Sequence, residues 1–211
     1  IGCEFNIISH AEAQQRHPLV DFSNARVIAS TPNDGHVDPT SVVMPLASLA
    51  TKAGATIERF NRVVEINELP GGEWQVVTEK GRVTAEHVVN AAGCFSVEVG
   101  GMVGAHIPLV NLEHQYLVTE AVPELQARKA AGLNELPVLR ESDASYYLRE
   151  ESEGLILGPY EVGAPAWAVD GVPASFGQEL LAPDMDRLQP HIEAAIARVP
   201  ILGRAGIKEC V

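Results

Sequence analysis

His87-Val-Val-Asn-Ala-Ala-Gly93 is an apolar run that narrows to three small residues. Val88 and Val89 suit a pleated, half-buried backbone, so the run predicts a buried strand ending on Ala91, Ala92 and Gly93, with Ser96 capping a short helix toward Val103. Upstream, β-rich runs cover Ala55 to Arg59, Val63 to Leu69, Trp74 to Thr78 and Arg82 to Ala85, broken by Pro70-Gly-Gly72 and Lys80-Gly81. Turn residues at those breaks predict an antiparallel meander. The small residues at 91 to 93 admit two readings: a helix packs on them, or a bound cofactor approaches the main chain there.

Before the meander, Asp38 and Pro39 form a cap and first helical residue, and Val42, Leu46, Leu49, Ala50 and Ala53 share one face of a helix that stops at Gly54. Pro45 inside it predicts a kink. Nearer the start, Ser9 and Glu12 make a capping box for a short helix ended by Pro18. After Pro108 longer strands are expected at Asn111 to Glu120, Pro137 to Glu141, Ser145 to Arg149 and Leu155 to Tyr160. A proline- and glycine-rich loop follows over 161–183, then a helix from Asp184 to Val199 with Leu188, Ile192, Ala195 and Val199 on one face and a kink or restart at Pro190. The pattern predicts an α+β chain: a lobe over 1–104 containing the meander, and a second domain over 105–211 built on a mostly antiparallel sheet with flanking helices.

Composition narrows the function. The 211 residues hold 28 acidic and 15 basic side chains, a net charge of -13 that repels a phosphate backbone. No run approaches the roughly 20 apolar residues that span a bilayer. Cys3, Cys94 and Cys210 are odd in number and widely spaced, and the seven His residues form no metal-binding pattern, so neither disulfides nor a metal is expected, and a reducing cytoplasm is. The chain opens on Ile1 rather than Met, and Gly206 to Val211 reads like the middle of a strand, so both ends are expected to be cut. A phosphate-binding G-x-G-x-x-G would suit a nucleotide cofactor, but the nearest run, Gly100-Gly-Met-Val-Gly104, has Val99 where the first Gly belongs and falls in or after a helix.

The order of helix, Gly54-Ala55, Val63-Val64 strand, Trp74 to Thr78 hairpin and Val88-Val-Asn-Ala-Ala-Gly93 resembles the flavin-domain meander of the D-amino acid oxidase superfamily. More specifically, the chain is similar to the dimethylglycine and sarcosine dehydrogenase family. The matching segments are Asp34-Gly-His-Val-Asp-Pro39, Asn90-Ala-Ala-Gly93, Pro108-Leu109, His114-Gln-Tyr116, Tyr146-Tyr-Leu-Arg149, Gly158-Pro-Tyr-Glu161, Leu181-Ala-Pro-Asp184, Arg198-Val-Pro200 and Ala205-Gly-Ile-Lys208. The resemblance implies FAD as cofactor, with Val63, Ala91, Ala92 and Gly93 beside it, so the first lobe becomes a partial FAD-binding lobe and the second a substrate domain. It implies oxidative demethylation of an N-methyl amino acid in one-carbon metabolism, with an electron-transferring flavoprotein as acceptor and folate as a further partner. Another amine oxidase of glycine oxidase type, or a scaffold that has lost its flavin, are the rivals. Without the Gly-rich segment, the chain alone is expected neither to bind FAD tightly nor to be catalytic.

Oxidising such an amine removes a hydride equivalent from the carbon next to nitrogen and needs the nitrogen lone pair free. The site therefore needs aromatic faces, a group that handles the ammonium proton and a carboxylate anchor. Alternation along Asn111 to Glu120 puts His114 and Tyr116 on one face, where they form a candidate catalytic pair; a packed Tyr116 with His114 hydrogen-bonded beside it is the bland alternative, and the resemblance places a tyrosine of this strand near the flavin. Tyr147 and Arg149 share a face of the next hairpin, Arg149 being the expected carboxylate anchor or else a solvated surface arginine. Tyr160 and Trp167 are expected as aromatic walls, although Trp167 in a loop also suits a surface cap. By resemblance to the monomeric sarcosine oxidases, Ile156 and Tyr160 stand where a lysine and a histidine belong, which favours a dehydrogenase over an oxidase.

Overall fold

The computed structural model describes residues 2, 4–177 and 179–211. Along the chain run β1 (Asn6–Ile7), α1 (His10–Arg16), β2 (Ala29–Ser30), α2 (Pro39–Lys52), β3 (Val63–Glu68), β4 (Trp74–Thr78), β5 (Gly81–Ala85), α3 (Ser96–Gly101), β6 (Asn111–Leu112) and β7 (Leu117–Thr119). They continue with α4 (Pro123–Ala130), β8 (Leu139–Glu141), β9 (Tyr146–Glu151), β10 (Gly154–Pro159), β11 (Ala166–Trp167), α5 (Met185–Arg198) and β12 (Ile207–Cys210). The α+β class and the antiparallel sheets are as the sequence predicts. No helix of the described residues is long and apolar enough to cross a membrane.

Two compact units form, and they interleave along the chain. One comprises Ile1–His36, His114–Ala164 and Glu179–Val211; the other comprises Val37–Glu113 and Pro165–Gln178. The sequence suggested one crossing point near residue 105, whereas the N-terminal stretch belongs with the five-stranded sheet. The reason is apolar: Ala13, Val20 and Phe22 enter the same buried cluster as Leu148, Leu157, Ala195 and Val199. Hydrogen bonds fasten this stretch to the end of α5, with Asp21 N–H donating to the Arg198 carbonyl at 2.7 Å and the Arg198 side-chain Nη1 donating back to the Asp21 carbonyl at 2.9 Å.

In the first unit the sheet order is β12-β7-β10-β9-β8 with every neighbour antiparallel. The expected strand over 111–120 is divided: β6 pairs with β11 in the second unit, β7 pairs with β10 and β12 in the first, and the residues between belong to no strand. Helix α5 carries the expected face, with Leu188, Ala195 and Val199 fully buried, and runs unbroken through Pro190 from the Asp184 cap, whose carboxylate accepts from Arg187 N–H.

In the second unit the meander forms as β3-β4-β5, but Ala55 to Arg59 adds no strand. Helix α2 begins as expected at the Asp38 cap with Pro39 first, yet none of its residues is buried, and Leu46 and Leu49 are each about three-fifths exposed. The Asp38 cap and Pro39 set where this helix begins, while its apolar stripe is uncovered among the described residues. The run from His87 to Ala92 corrects a sequence expectation: it is not a strand, and Val88 and Val89 are exposed. Among the described residues β5 pairs only with β4, so no ladder extends to this run.

His17, at the end of α1, is 5% exposed, and its Nδ1 has no hydrogen-bond partner among the described residues. Burial drives its pKa down to about 4 against an ordinary 6.5, with the nearby Arg128 adding a smaller push. The unfolded chain then binds a proton that the folded unit refuses between those values, so stability is full above about pH 6.5 and falls as pH drops toward 4. The loss should be on the order of 3 kcal/mol, and urea unfolding at pH 7 and pH 4.5 should show it shrinking in His17→Gln.

Candidate active site

In an antiparallel sheet directly paired residues share a face, so the register assigns the two surfaces of the first unit's sheet. Leu139, Leu148, Leu157 and Leu117 form one row on the core face. The neighbouring row on the outer face runs Arg140, Tyr147, Gly158, and a second outer row runs Arg149, Ile156, Val118. Tyr116 is two residues before Val118 and so belongs to the outer face, held by paired main-chain hydrogen bonds of 2.8 Å to Val211.

This face gathers the tyrosines. Tyr147 and Tyr160 lie with ring centroids 5.7 Å apart and planes tilted by 52°. Gly158 makes the arrangement sterically feasible, because a Cβ at that position would collide with the Tyr147 ring. Burial pushes the Tyr147 hydroxyl pKa up, with Arg149 opposing and the Tyr160 and Tyr116 hydroxyls reinforcing the rise. Tyr146, on the opposite face, is almost wholly buried in the core and has its pKa raised to about 12, chiefly by burial.

The basic residue at the tyrosines is one the sequence reading passed over. Arg149 Nη1 is bound to Glu151 Oε2 at 2.7 Å and to the Glu150 carbonyl at 2.9 Å, so the expected carboxylate anchor already holds a carboxylate. Arg140 Nη1 instead donates to the Tyr160 hydroxyl at 2.9 Å, with its guanidinium carbon 5.7 Å from the ring centroid. Alternation along β8, with Leu139 and Glu141 inward, would have flagged Arg140; its neighbourhood to Tyr147 and Tyr160 needs the register.

Beyond Tyr160 the chain is pinned by Glu161. Its carboxylate accepts from Arg187 Nε at 3.0 Å and Nη2 at 2.6 Å, and from Gln115 Nε2 at 3.4 Å, while Gln115 also exchanges hydrogen bonds with the main chain of Asp184. Burial opposes the Glu161 charge, but the hydrogen bonds and the guanidinium outweigh it and hold its carboxyl below the usual range. His114 is exposed and makes no hydrogen bond among the described residues.

The remaining expected site residues lie in the second unit. Val63 opens β3 opposite Thr78, and Trp167, in β11, packs on Phe176 with ring centroids 4.5 Å apart. At 91 to 93 the chain turns: Asn90 Oδ1 accepts from Ala92 N–H at 3.3 Å, its Nδ2 donates to the Ser96 carbonyl at 2.9 Å, and Gly93 sits at φ +58°. Ser96 is the first residue of α3, not its cap, and a short 3-10 turn over Gly93–Phe95 leads in. Ala91 and Gly93 are exposed, and nothing lies within 4 Å of where a Gly93 Cβ would stand. Gly100 has a packing role, since a Cβ there would come 2.5 Å from Ile107 Cγ1.

A family model described as FAD dependent oxidoreductase matches residues 1–211. Mouse dimethylglycine dehydrogenase is 41% identical over 206 residues, covering 95% of this chain and 23% of that protein. Mouse sarcosine dehydrogenase is 33% identical over 215 residues, covering all of this chain and 22% of that protein. The chain thus spans less than a quarter of either relative's length. The crystal structure of L-proline dehydrogenase from P. horikoshii shares the fold, with a TM-score of 0.77 at 24% identity over 99% of this chain and 52% of that one. Both curated relatives are named as mitochondrial, which corrects the cytoplasmic expectation; unpaired cysteines report a redox state and not an address.

Gly158→Ala should drive the Tyr147 ring off Tyr160 and cost about 1–3 kcal/mol through overpacking. Urea unfolding and the near-ultraviolet tyrosine dichroism would register both effects, and a midpoint equal to that of the unsubstituted protein would contradict them.

Proposed function

This chain belongs to the FAD-dependent oxidoreductase family, and on that premise we propose that the protein oxidatively demethylates an N-methyl amino acid, dimethylglycine or sarcosine, with FAD as hydride acceptor. The observation that carries the reading is the outer face of the five-stranded sheet, where Tyr116, Tyr147, Tyr160 and Arg140 come together on an otherwise acidic chain. Aromatic faces accept a methylated ammonium and still tolerate the neutral amine that forms when its proton leaves. The relatives named for these two substrates support the choice of N-methyl amino acids.

The second unit offers a surface suited to a flat cofactor. Residues 91 to 93 are small, the turn is exposed, and Gly93 leaves its main chain open to close approach. Val63, Ala91, Ala92 and Gly93 would hold FAD there, and when bound the flavin supplies the electron-accepting ring. The chain's own residues then have separate tasks. Tyr147 and Tyr160 wall the substrate, Tyr116 contacts its amine, and His114, exposed and without a hydrogen bond among the described residues, takes the ammonium proton so that the lone pair is free. Trp167 closes an aromatic wall of the second unit with Phe176. An electron-transferring flavoprotein as acceptor, folate as the receiver of the one-carbon unit and a place in one-carbon metabolism complete the proposal. Ile156, buried on the outer face, takes no proton and agrees with a dehydrogenase.

The full-length protein, purified with FAD, should be yellow, oxidise dimethylglycine or sarcosine with release of formaldehyde, and leave glycine and proline largely untouched. Colourless protein after added FAD, or no turnover of either N-methyl substrate, overturns the reading. Tyr116→Phe should lower kcat/KM about 100-fold. The 211-residue chain by itself, which carries no G-x-G-x-x-G, should bind FAD more weakly than about 1 μM in a fluorescence titration.

A further inference from the structure

We propose that Gln115 is a positioning residue for the oxidation: its side-chain amide, joined with Glu161, Arg187 and the main chain of Asp184, sets the spacing of Tyr116 from Tyr160. The inference rests on the functional reading above, in that the two tyrosines line the substrate site, and it adds what holds them there. Strands β7 and β10 pair through Val118–Ile156 and Leu117–Leu157, and no ladder pair among the described residues carries this contact on to Tyr116 or Tyr160. Beyond that point each tyrosine is held on its far side. Tyr116 exchanges main-chain hydrogen bonds with Val211, beyond β12, and Tyr160 N–H donates to the Ser145 carbonyl, next to β9, at 2.6 Å. The main chain thus fastens the two residues to different neighbours, and side chains take over between them.

Gln115 stands between His114 and Tyr116, is 8% exposed, and uses both ends of its amide. Its Oε1 accepts from Asp184 N–H at 3.0 Å, while Nε2 donates to the Asp184 carbonyl at 3.1 Å and to Glu161 Oε1 at 3.4 Å. Asp184 caps α5, Arg187 in the first turn of that helix grips Glu161 at 2.6 and 3.0 Å, and Glu161 follows Tyr160, so the contacts close into a ring. The chemistry of the ring selects a carboxamide. A neutral group with one acceptor and two donors matches a main-chain N–H, a main-chain carbonyl and a carboxylate, whereas a glutamate at 115 would set two anions together. Because Gln115 and Glu161 are buried, water cannot replace a missing member without cost. Tyr116 and Tyr160 each adjoin a ring member by one peptide bond, so a shift of the ring moves both. A displacement of about 1 Å in such a site can cost about 100-fold in rate.

Two variants test the ring. Gln115→Met keeps the side-chain length and removes the amide, and Glu161→Gln keeps the volume and removes the charge. In the full-length, FAD-loaded protein, anaerobic bleaching of the flavin by dimethylglycine or sarcosine, counted per bound flavin, should slow about 10- to 100-fold in either, with the half-saturating concentration changed less than about 3-fold. The double variant should lose no more than about 2-fold beyond the slower single one, since a ring broken once is already open. Gln126→Met, which removes an exposed amide–carboxylate bond to Glu153, should bleach as the unsubstituted protein does. Fluorine NMR of protein carrying meta-fluorotyrosine reads position without turnover. The signals of Tyr116 and Tyr160, identified by their loss in Tyr116→Phe and Tyr160→Phe, should shift in both ring variants and stay in place in Gln126→Met. Where Gln115→Met does not fold, Glu161→Gln alone decides. Unshifted signals, unchanged bleaching or additive losses each overturn the positioning role even if demethylation is observed. Shifted signals in a protein whose flavin neither substrate bleaches uphold the ring as what holds the tyrosines and overturn the demethylase reading.

Discussion

Leu139, Leu148, Leu157 and Leu117 stand shoulder to shoulder across four antiparallel strands, and burying that row against α5 and the N-terminal Val20 and Phe22 fixes everything on the other side of the sheet. Side chains alternate with a period of two, so a slip of one residue in any pairing would carry its leucine to the outer face and its tyrosine or arginine into the core. Each fully buried leucine contributes roughly 1.5–3 kcal/mol, which makes the slipped registers unfavourable. The neighbouring row of Arg140, Tyr147 and Gly158 is the reverse side of this hydrophobic constraint, and the candidate site is positioned by residues that never touch it.

Helix α5 is fastened to that sheet by charge at both ends. Near its start Arg187 grips Glu161, the residue after Tyr160; near its end Arg198 holds Glu141, the residue after Arg140. Half-buried pairs of this kind contribute less to net stability than to location, because desolvation offsets much of their attraction. Here location is what matters: each pair sits one residue beyond a member of the outer-face cluster, so the helix that seals the core also fixes where Tyr160 and Arg140 leave their strands.

Where burial follows from a repeating local pattern, the sequence made it legible. The stripe of Leu188, Ile192, Ala195 and Val199 and the turns of the meander are of this type, as are Tyr146 and Tyr147 facing opposite sides. What escaped depends on partners distant in sequence. Val88 and Val89 look like a core strand, but a strand needs a neighbour to accept its hydrogen bonds, and composition cannot supply one. Arg149 looked available until Glu151 was seen on the same face two residues on, a spacing that alternation alone could have exposed. Arg140 was silent because its meeting with Tyr160 spans 20 residues and two hairpins.

The interleaving of the two units has a consequence for how the molecule is made. Asp21 meets Arg198, 177 positions later, and Val20 and Phe22 find their apolar neighbours on strands and a helix that leave the ribosome long after them. During synthesis the first segment must wait, with exposed apolar side chains, while the whole of the 37–113 stretch emerges and can begin its local hairpins. Such long-range closure makes folding of the sheet unit slow compared with that of the meander. The unit that bears the tyrosine cluster can thus close only after residues 179–211 have been made, later than the meander.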